Sequence, residues 1–130
     1  MPRILIIDDD DLIRQMVRDV LERDGYVVED ASDGKQGLRA FMENPADLVI
    51  TDLVMPEKEG IEIIIELRRD FPELKIIAIS GGGFRSHYAV TSGAENALAA
   101  AKVFGASHTL FKPFEIQHLL DLVEELLKEI

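Results

Sequence analysis

Short runs of apolar residues recur along the chain, separated by segments in which apolar residues follow helical spacing. Runs of this length between helical patterns are typical of buried strands in a parallel sheet. The predicted strands cover residues 3–7, a segment that starts at 26–28, and residues 48–51, 75–79 and 108–111. The pattern therefore predicts five strands that alternate with five helices.

Capping and breaking residues bound the predicted helices. The first helix ends at Gly25 and carries an apolar stripe made of Leu12, Ile13, Met16, Val17, Val20 and Leu21. The later helices run from a Ser32 cap to about Glu43, from Gly60 to the residue before Phe71-Pro72, from near Gly93 to Gly105, and through Ile116 to Ile130. Residues 81–91 are then a loop.

Alternation of strands and helices implies right-handed crossovers and a parallel sheet that is covered on both faces. The fold class predicted from the pattern is therefore α/β with a doubly wound parallel sheet. The pattern alone leaves the strand order open between the two common doubly wound arrangements.

Four of the apolar runs end in residues that can do chemistry. These residues are Asp8 and Asp9 after the first run, Asp52 after the third, Ser80 after the fourth and Lys112 after the last. Ligands of parallel sheets bind outside the carboxyl ends of the strands, so these side chains should converge. Carboxylates about 4 Å apart repel by about 4 kcal/mol at an effective dielectric constant of about 20, unless a cation joins them. The arrangement predicts a divalent metal site.

Composition narrows the function further. The 130 residues fit one domain spanning 1–130, without room for a separate output domain. The net charge of −11 argues against binding to nucleic acid or to an anionic membrane. The absence of cysteine excludes thiol catalysis, and no apolar run approaches the ~18 residues of a spanning helix. We therefore expect a cytoplasmic protein.

The polar residues at the strand ends resemble those of the receiver domain of bacterial response regulators. The resemblance rests on Asp8-Asp9, on Thr51-Asp52-Leu53-Val54-Met55-Pro56 followed by Gly60, on Ser80, and on Lys112-Pro113-Phe114. It spans the whole chain and implies a flavodoxin-like (βα)5 sheet with strand order 2-1-3-4-5. It also implies a stand-alone receiver that works through protein contacts.

The resemblance implies a role for each of these residues. Asp52 would accept a phosphoryl group from a histidine kinase or phosphotransfer protein, and Ser80 and Lys112 would contact the phosphoryl oxygens. The implied Mg²⁺ ligands are Asp9, Asp52 and the backbone carbonyl of Val54, with Asp8 acting through a water. The Lys112-Pro113 peptide bond would be cis. Such a chain would catalyse only its own phosphorylation and dephosphorylation and then bind a downstream protein.

Two other functions stay open. A haloacid-dehalogenase-type phosphatase also combines an aspartate nucleophile with Mg²⁺, although that class expects a second acid where this chain has Val54. A phosphorylation-independent binding module of receiver fold is the other. Asp10 and Asp11 are interpreted as acids that favour the positive end of the first helix, and no role at the site is assigned to them.

Several positions depart from the receiver pattern. The spacing between Ser80 and Lys112 is longer than usual, which places extra residues in loop 81–91 beside the site. Thr109 stands where receivers commonly carry an aromatic residue, so a switch by aromatic rotamer is not expected. Leu122 and Leu126 widen the apolar stripe of the last helix. They either flank the core or are exposed for a partner, such as a second copy in a homodimer.

Overall fold

The computed structural model describes residues 1–53, 60–80, 102 and 104–128. Within them, the strands are β1 (Arg3–Ile7), β2 (Val27–Ala31), β3 (Leu48–Asp52), β4 (Lys75–Ser80) and β5 (His108–Phe111). The helices are α1 (Asp11–Arg23), α2 (Gly34–Glu43), α3 (Gly60–Asp70) and α4 (Ile116–Leu127). All strand pairs are parallel, and the sheet order is β2-β1-β3-β4-β5. The flavodoxin-like order is confirmed.

Side chains of successive strand residues leave the sheet on opposite faces, which gives it two apolar layers. In β1, Leu5 and Ile7 belong to the layer that also contains Phe41 of α2 and Ile64 of α3. The other layer contains residues of α1 and α4, packed on Ile4, Ile6 and their neighbours in the sheet. Because both faces of β1, β3 and β4 are apolar and buried, polar residues are confined to the ends of these strands.

Helix α1 begins directly after the first strand and its acidic turn. Asp10 is the N-cap, and its carboxylate accepts hydrogen bonds from the backbone N–H groups of Leu12 and Ile13. Asp11 is the first helical residue and remains exposed. The interpretation of Asp10 and Asp11 as acids at the positive helix end is confirmed.

Two details of the helices differ from the prediction. Leu12 and Met16 are 83% and 42% exposed, so only part of the predicted α1 stripe faces the core, where Val17 and Leu21 are buried. Asp33, next to the predicted Ser32, caps α2, because its carboxylate accepts the hydrogen bond from the backbone N–H of Gln36.

Helix α4 buries a wider face than the core-facing stripe alone would bury. Leu122 and Leu126 are buried beside Leu119 and Val123. The interpretation that they flank the core is therefore confirmed, and these two side chains are not exposed for a partner or a second copy. Among the described residues, no helix combines the length and the apolar composition that a membrane span requires.

The segment between β4 and β5 lies largely outside the described residues, including loop 81–91 and most of the helix predicted from Gly93. Lys102 and Phe104 are described, and both are helical. Gly105 has a φ of 124°, a left-handed conformation that suits glycine at a helix end. The predicted end of that helix at Gly105 agrees with this geometry.

Gly60 is the first residue of α3 and lies against the end of β3. A Cβ atom at this position would lie 2.1 Å from the backbone oxygen of Asp52 and 2.7 Å from Cα of Leu53. The backbone N–H of Gly60 also donates to the carbonyl of Leu53 at 3.0 Å. Only glycine lets α3 approach the strand end at this distance.

We expect Gly60→Ala to lower the free energy of unfolding by about 1–3 kcal/mol, because the added methyl group meets backbone atoms that have to shift. Urea denaturation measures the change. Glu62→Ala, at an exposed position in the same helical turn, is the control and should change the free energy by no more than about 0.5 kcal/mol. Equal stability of Gly60→Ala and the wild type would contradict the close approach.

Candidate functional site

Three carboxylates meet at the carboxyl edge of the sheet. Asp8 follows β1, Asp52 is the last residue of β3, and these two strands are neighbours that pair Ile7 with Thr51. Asp8, Asp9 and Asp52 each offer a carboxylate oxygen, and these oxygens all lie within 4.8 Å of one another. Asp8 and Asp52 are only 3% and 4% exposed, whereas Asp9 is half-buried. The predicted convergence of these acids is confirmed.

The turn at Asp8 is fixed by hydrogen bonds from three directions. Its backbone N–H donates to the carbonyl of Ala31 at the end of β2, at 3.1 Å. Its carboxylate accepts from the backbone N–H of Asp10 at 2.9 Å, and its backbone carbonyl accepts from Nη1 of Arg14 at 2.8 Å. The sequence prediction did not assign Arg14, because only its contact, and no spacing rule, connects it with Asp8.

Lys112 follows β5 and brings a positive charge to the acids. Its Nζ lies 2.8 Å from Oδ2 of Asp8 and 3.2 Å from Oδ2 of Asp52. Burial alone would lower the pKa of Lys112. The hydrogen bond to Asp8 and the charges of Asp52 and Asp8 outweigh burial, so the pKa of Lys112 is raised above its ordinary value. The ammonium is therefore held in its charged form between two buried carboxylates.

Ser80 ends β4, the strand that separates β3 from β5. It is 2% exposed, and its backbone carbonyl accepts from the backbone N–H of Lys112 at 2.8 Å. The Lys112-Pro113 peptide bond is cis, as the resemblance implied. The ends of β4 and β5 are thus joined directly beside the acids, and Ser80 and Lys112 lie at the edge where the sequence placed them.

Two further predictions concern the backbone carbonyl of Val54 and the residue at position 109. Val54, whose backbone carbonyl was predicted as a metal ligand, lies outside the described residues. Thr109 is in β5 opposite Ala78 and is half-buried, so no aromatic ring occupies that position. Thr51, which the prediction gave no role, is fully buried and donates its hydroxyl to the carbonyl of Asp52 at 2.9 Å.

The acid cluster has the chemistry of a site for a hard cation. Carboxylate oxygens are the ligands that Mg²⁺ and Ca²⁺ prefer, and three of them converge here. The pairing of Lys112 with both buried acids indicates that the site already requires a positive charge. Asp8, Asp9 and Asp52 could therefore hold a metal ion.

Comparison with known proteins identifies relatives over almost the whole chain. The family model described as the response regulator receiver domain matches residues 4–124. Chemotaxis protein CheY of Bacillus subtilis is 32% identical over 126 residues, which are 96% of this chain and 97% of CheY. Transcriptional regulatory protein RprY of Bacteroides fragilis is 30% identical over 128 residues, which are 98% of this chain and 50% of RprY.

Solved structures agree with these relatives. The crystal structure of a response regulator receiver domain protein from Clostridium thermocellum superposes with a TM-score of 0.82 and 34% identity, covering 99% of this chain and 96% of that one. The chain thus spans half the length of RprY but nearly all of CheY. With three acids, a serine and a lysine at the edge of a 2-1-3-4-5 sheet, the chain belongs to the response regulator receiver domain family.

Proposed function

We propose that this chain is a phosphoacceptor switch that takes a phosphoryl group onto Asp52 from a histidine kinase or phosphotransfer protein. The phosphorylated chain then binds a downstream protein target. It acts on no separate substrate and promotes only its own phosphorylation and dephosphorylation. The chain itself is the species that changes state.

One observation carries this proposal: a single ammonium group bridges two buried carboxylates beside a third. Lys112 Nζ contacts both Asp8 and Asp52, and Asp9 lies close to both acids. One ammonium offsets only part of the negative charge of three acids, so the cluster suits a metal cation. The ammonium in contact with Asp52 suits an anionic phosphoryl group on that residue.

The transfer needs few protein groups. A carboxylate oxygen of Asp52 attacks the phosphorus atom of a phosphohistidine, and the bond between phosphorus and the imidazole nitrogen breaks. The ring keeps the bonding electron pair and, protonated on its second nitrogen, leaves as neutral imidazole. Lys112, 3.2 Å from Oδ2 of Asp52, pairs with a phosphoryl oxygen of the resulting acyl phosphate. Ser80, at the end of the adjacent strand, donates its hydroxyl to another.

Mg²⁺ is the cation that we assign to the acid cluster. Asp9, Asp52 and the backbone carbonyl of Val54 would hold it, and Asp8 would contact it through a water. When bound, it supplies positive charge that offsets the repulsion between an anionic donor and the carboxylates. Asp8 and Asp52 fit this role because they are buried and their oxygens lie within 4.8 Å of those of Asp9.

The remaining alternative is a receiver fold that binds a partner without phosphorylation. Half-buried Thr109 favours this alternative, because it removes the aromatic residue whose movement commonly reports phosphorylation in receivers. Phosphorylation is supported by Asp8, Asp9, Asp52, Ser80 and Lys112, which lie at the same edge of the sheet. Phosphoryl transfer to Asp52 is thus the property that distinguishes the two functions.

We expect incubation with acetyl phosphate and Mg²⁺ to give a single phosphoryl adduct on the wild-type chain and none on Asp52→Asn. The amide cannot act as the nucleophile in place of the carboxylate. Intact mass spectrometry detects the adduct, and chelation of Mg²⁺ before the donor is added should prevent its formation.

The matched control is Asp19→Asn, which removes an exposed acid on α1 and should be phosphorylated like the wild type. An adduct that persists in Asp52→Asn would place the acceptor elsewhere. No adduct on any variant, with folding and Mg²⁺ binding intact, would favour phosphorylation-independent binding.

Lys112 competes with a metal ion for the oxygens of Asp8 and Asp52. We expect Lys112→Met to bind Mg²⁺ about tenfold more tightly, because opposite unit charges about 4 Å apart interact by about 4 kcal/mol at an effective dielectric constant of about 20. A tenfold change in the dissociation constant corresponds to about 1.4 kcal/mol, which is less than this interaction energy. Isothermal titration calorimetry measures the dissociation constant.

The same variant should form the phosphoryl adduct more slowly, since no side-chain cation meets the phosphoryl oxygen. Lys128→Met removes an exposed lysine at the end of α4 and serves as the charge-matched control. Unchanged Mg²⁺ affinity in Lys112→Met, with the fold intact, would show that the ammonium and the metal do not share the carboxylates.

A further inference from the structure

The guanidinium of Arg14 uses each of its three nitrogens on a different residue. Nη1 donates to the backbone carbonyl of Asp8 at 2.8 Å, Nη2 pairs with Oδ1 of Asp11 at 2.6 Å, and Nε lies 3.4 Å from Oδ1 of Asp30. The Arg14 side chain is 18% exposed. Arg14 thus joins the first turn of α1 both to the end of β2 and to the turn that presents the acids.

The carboxylate that holds Arg14 is itself held from the other side. Arg18, one helical turn further along α1, pairs through Nη1 with Oδ2 of Asp30 and through Nε with Glu22. Asp30 therefore forms ion pairs with two arginines, one at each oxygen. This arrangement fixes the orientation of Asp30 and, through it, the plane of the Arg14 guanidinium.

We propose that Arg14 is a positioning residue for the metal site, which it serves by anchoring the backbone carbonyl of Asp8. The inference rests on the proposed function, since it concerns how the same acids hold Mg²⁺. Arg14 touches neither the metal nor the phosphoryl group. It acts through the turn at Asp8. This turn orients the carboxylates of Asp8 and Asp9 toward the same ion.

The alternative is that Arg14 acts only through its charge. The two roles predict opposite changes in Mg²⁺ affinity when Arg14 is removed. As a point charge near three acids, Arg14 weakens cation binding, so its removal would tighten Mg²⁺ binding. As an anchor, it holds the turn in the binding geometry, so its removal would weaken Mg²⁺ binding. The substitution Arg14→Lys distinguishes the two roles further, because the ammonium keeps the charge but cannot reproduce the three planar nitrogens of the guanidinium.

The test compares Arg14→Lys and Arg14→Gln with the wild type in titrations with Mg²⁺ alone, by isothermal titration calorimetry. We expect both variants to bind Mg²⁺ about tenfold more weakly, the lower end of the range typical for residues that orient metal ligands. The second measurement is the hydrogen-exchange rate of the Asp10 amide in the metal-free chain, by NMR. That amide donates to Oδ1 of Asp8 at 2.9 Å, and it should exchange faster in both variants.

Two controls accompany these variants. Arg23→Gln removes an exposed arginine from the last turn of α1 and should leave both quantities unchanged. Val17→Ala loosens the packing of α1 on the sheet without touching Asp8, so it reports the effect of lost stability alone. Weaker Mg²⁺ binding in the Arg14 variants but not in Val17→Ala supports positioning.

Wild-type affinity in Arg14→Lys, together with tighter binding in Arg14→Gln, would overturn the proposal and leave a purely electrostatic role. Unchanged affinity and exchange in both variants would also overturn it. If the Arg14 variants fail to fold, Asp30→Asn loosens the hold on Arg14 without replacing it, and should shift both quantities in the same direction but less. If the wild type binds no Mg²⁺, the proposed function fails, whereas amide exchange in the metal-free chain still decides whether Arg14 anchors the turn.

Discussion

One interaction governs the working edge of this protein: the ammonium of Lys112 lies between the carboxylates of Asp8 and Asp52, both almost fully buried. A buried charge is costly unless it is paired, so the contact with the ammonium offsets part of the cost of burying the two acids. The sheet order makes the contact possible, because β1 and β3 are adjacent and only β4 separates β3 from β5. That intervening strand ends in Ser80, whose backbone carbonyl accepts a hydrogen bond from the backbone N–H of Lys112.

The sequence was sufficient to predict that these polar residues lie at one edge of the sheet, because burial of the strands restricts where polar residues can stand. Strands buried on both faces tolerate polar residues only at their ends, so Asp52 and Ser80 marked one edge of the sheet. The pattern by itself did not choose the strand order, which came from the receiver resemblance. The helix limits at Gly60 and before Phe71 were also predicted correctly. Glycine permits a close backbone approach, and proline disfavours helical geometry in the residue before it.

What the sequence did not supply depends on contacts in three dimensions. Leu12 and Met16 have helical spacing but are exposed, because periodicity gives the width of an apolar stripe and not how far the sheet extends beneath it. Ser32 and Asp33 are both good cap residues, and their order along the chain does not indicate which one accepts from the backbone N–H of Gln36. Arg14 was missed because a guanidinium can reach many partners, and its bond to the carbonyl of Asp8 follows from the path of the turn.

The two cations near the acids are suited to different tasks. Arg14 is bound to a backbone carbonyl and to acids outside the cluster, so a new charge on Asp52 changes its surroundings little. Lys112 is bound to Asp52 itself, so a phosphoryl group there alters its partners at once. The backbone N–H of Lys112 is joined to Ser80, and Phe111 beside it is 46% exposed. In a receiver with Thr109 in place of an aromatic residue, the ends of β4 and β5 therefore connect the surroundings of Asp52 with the surface at Phe111.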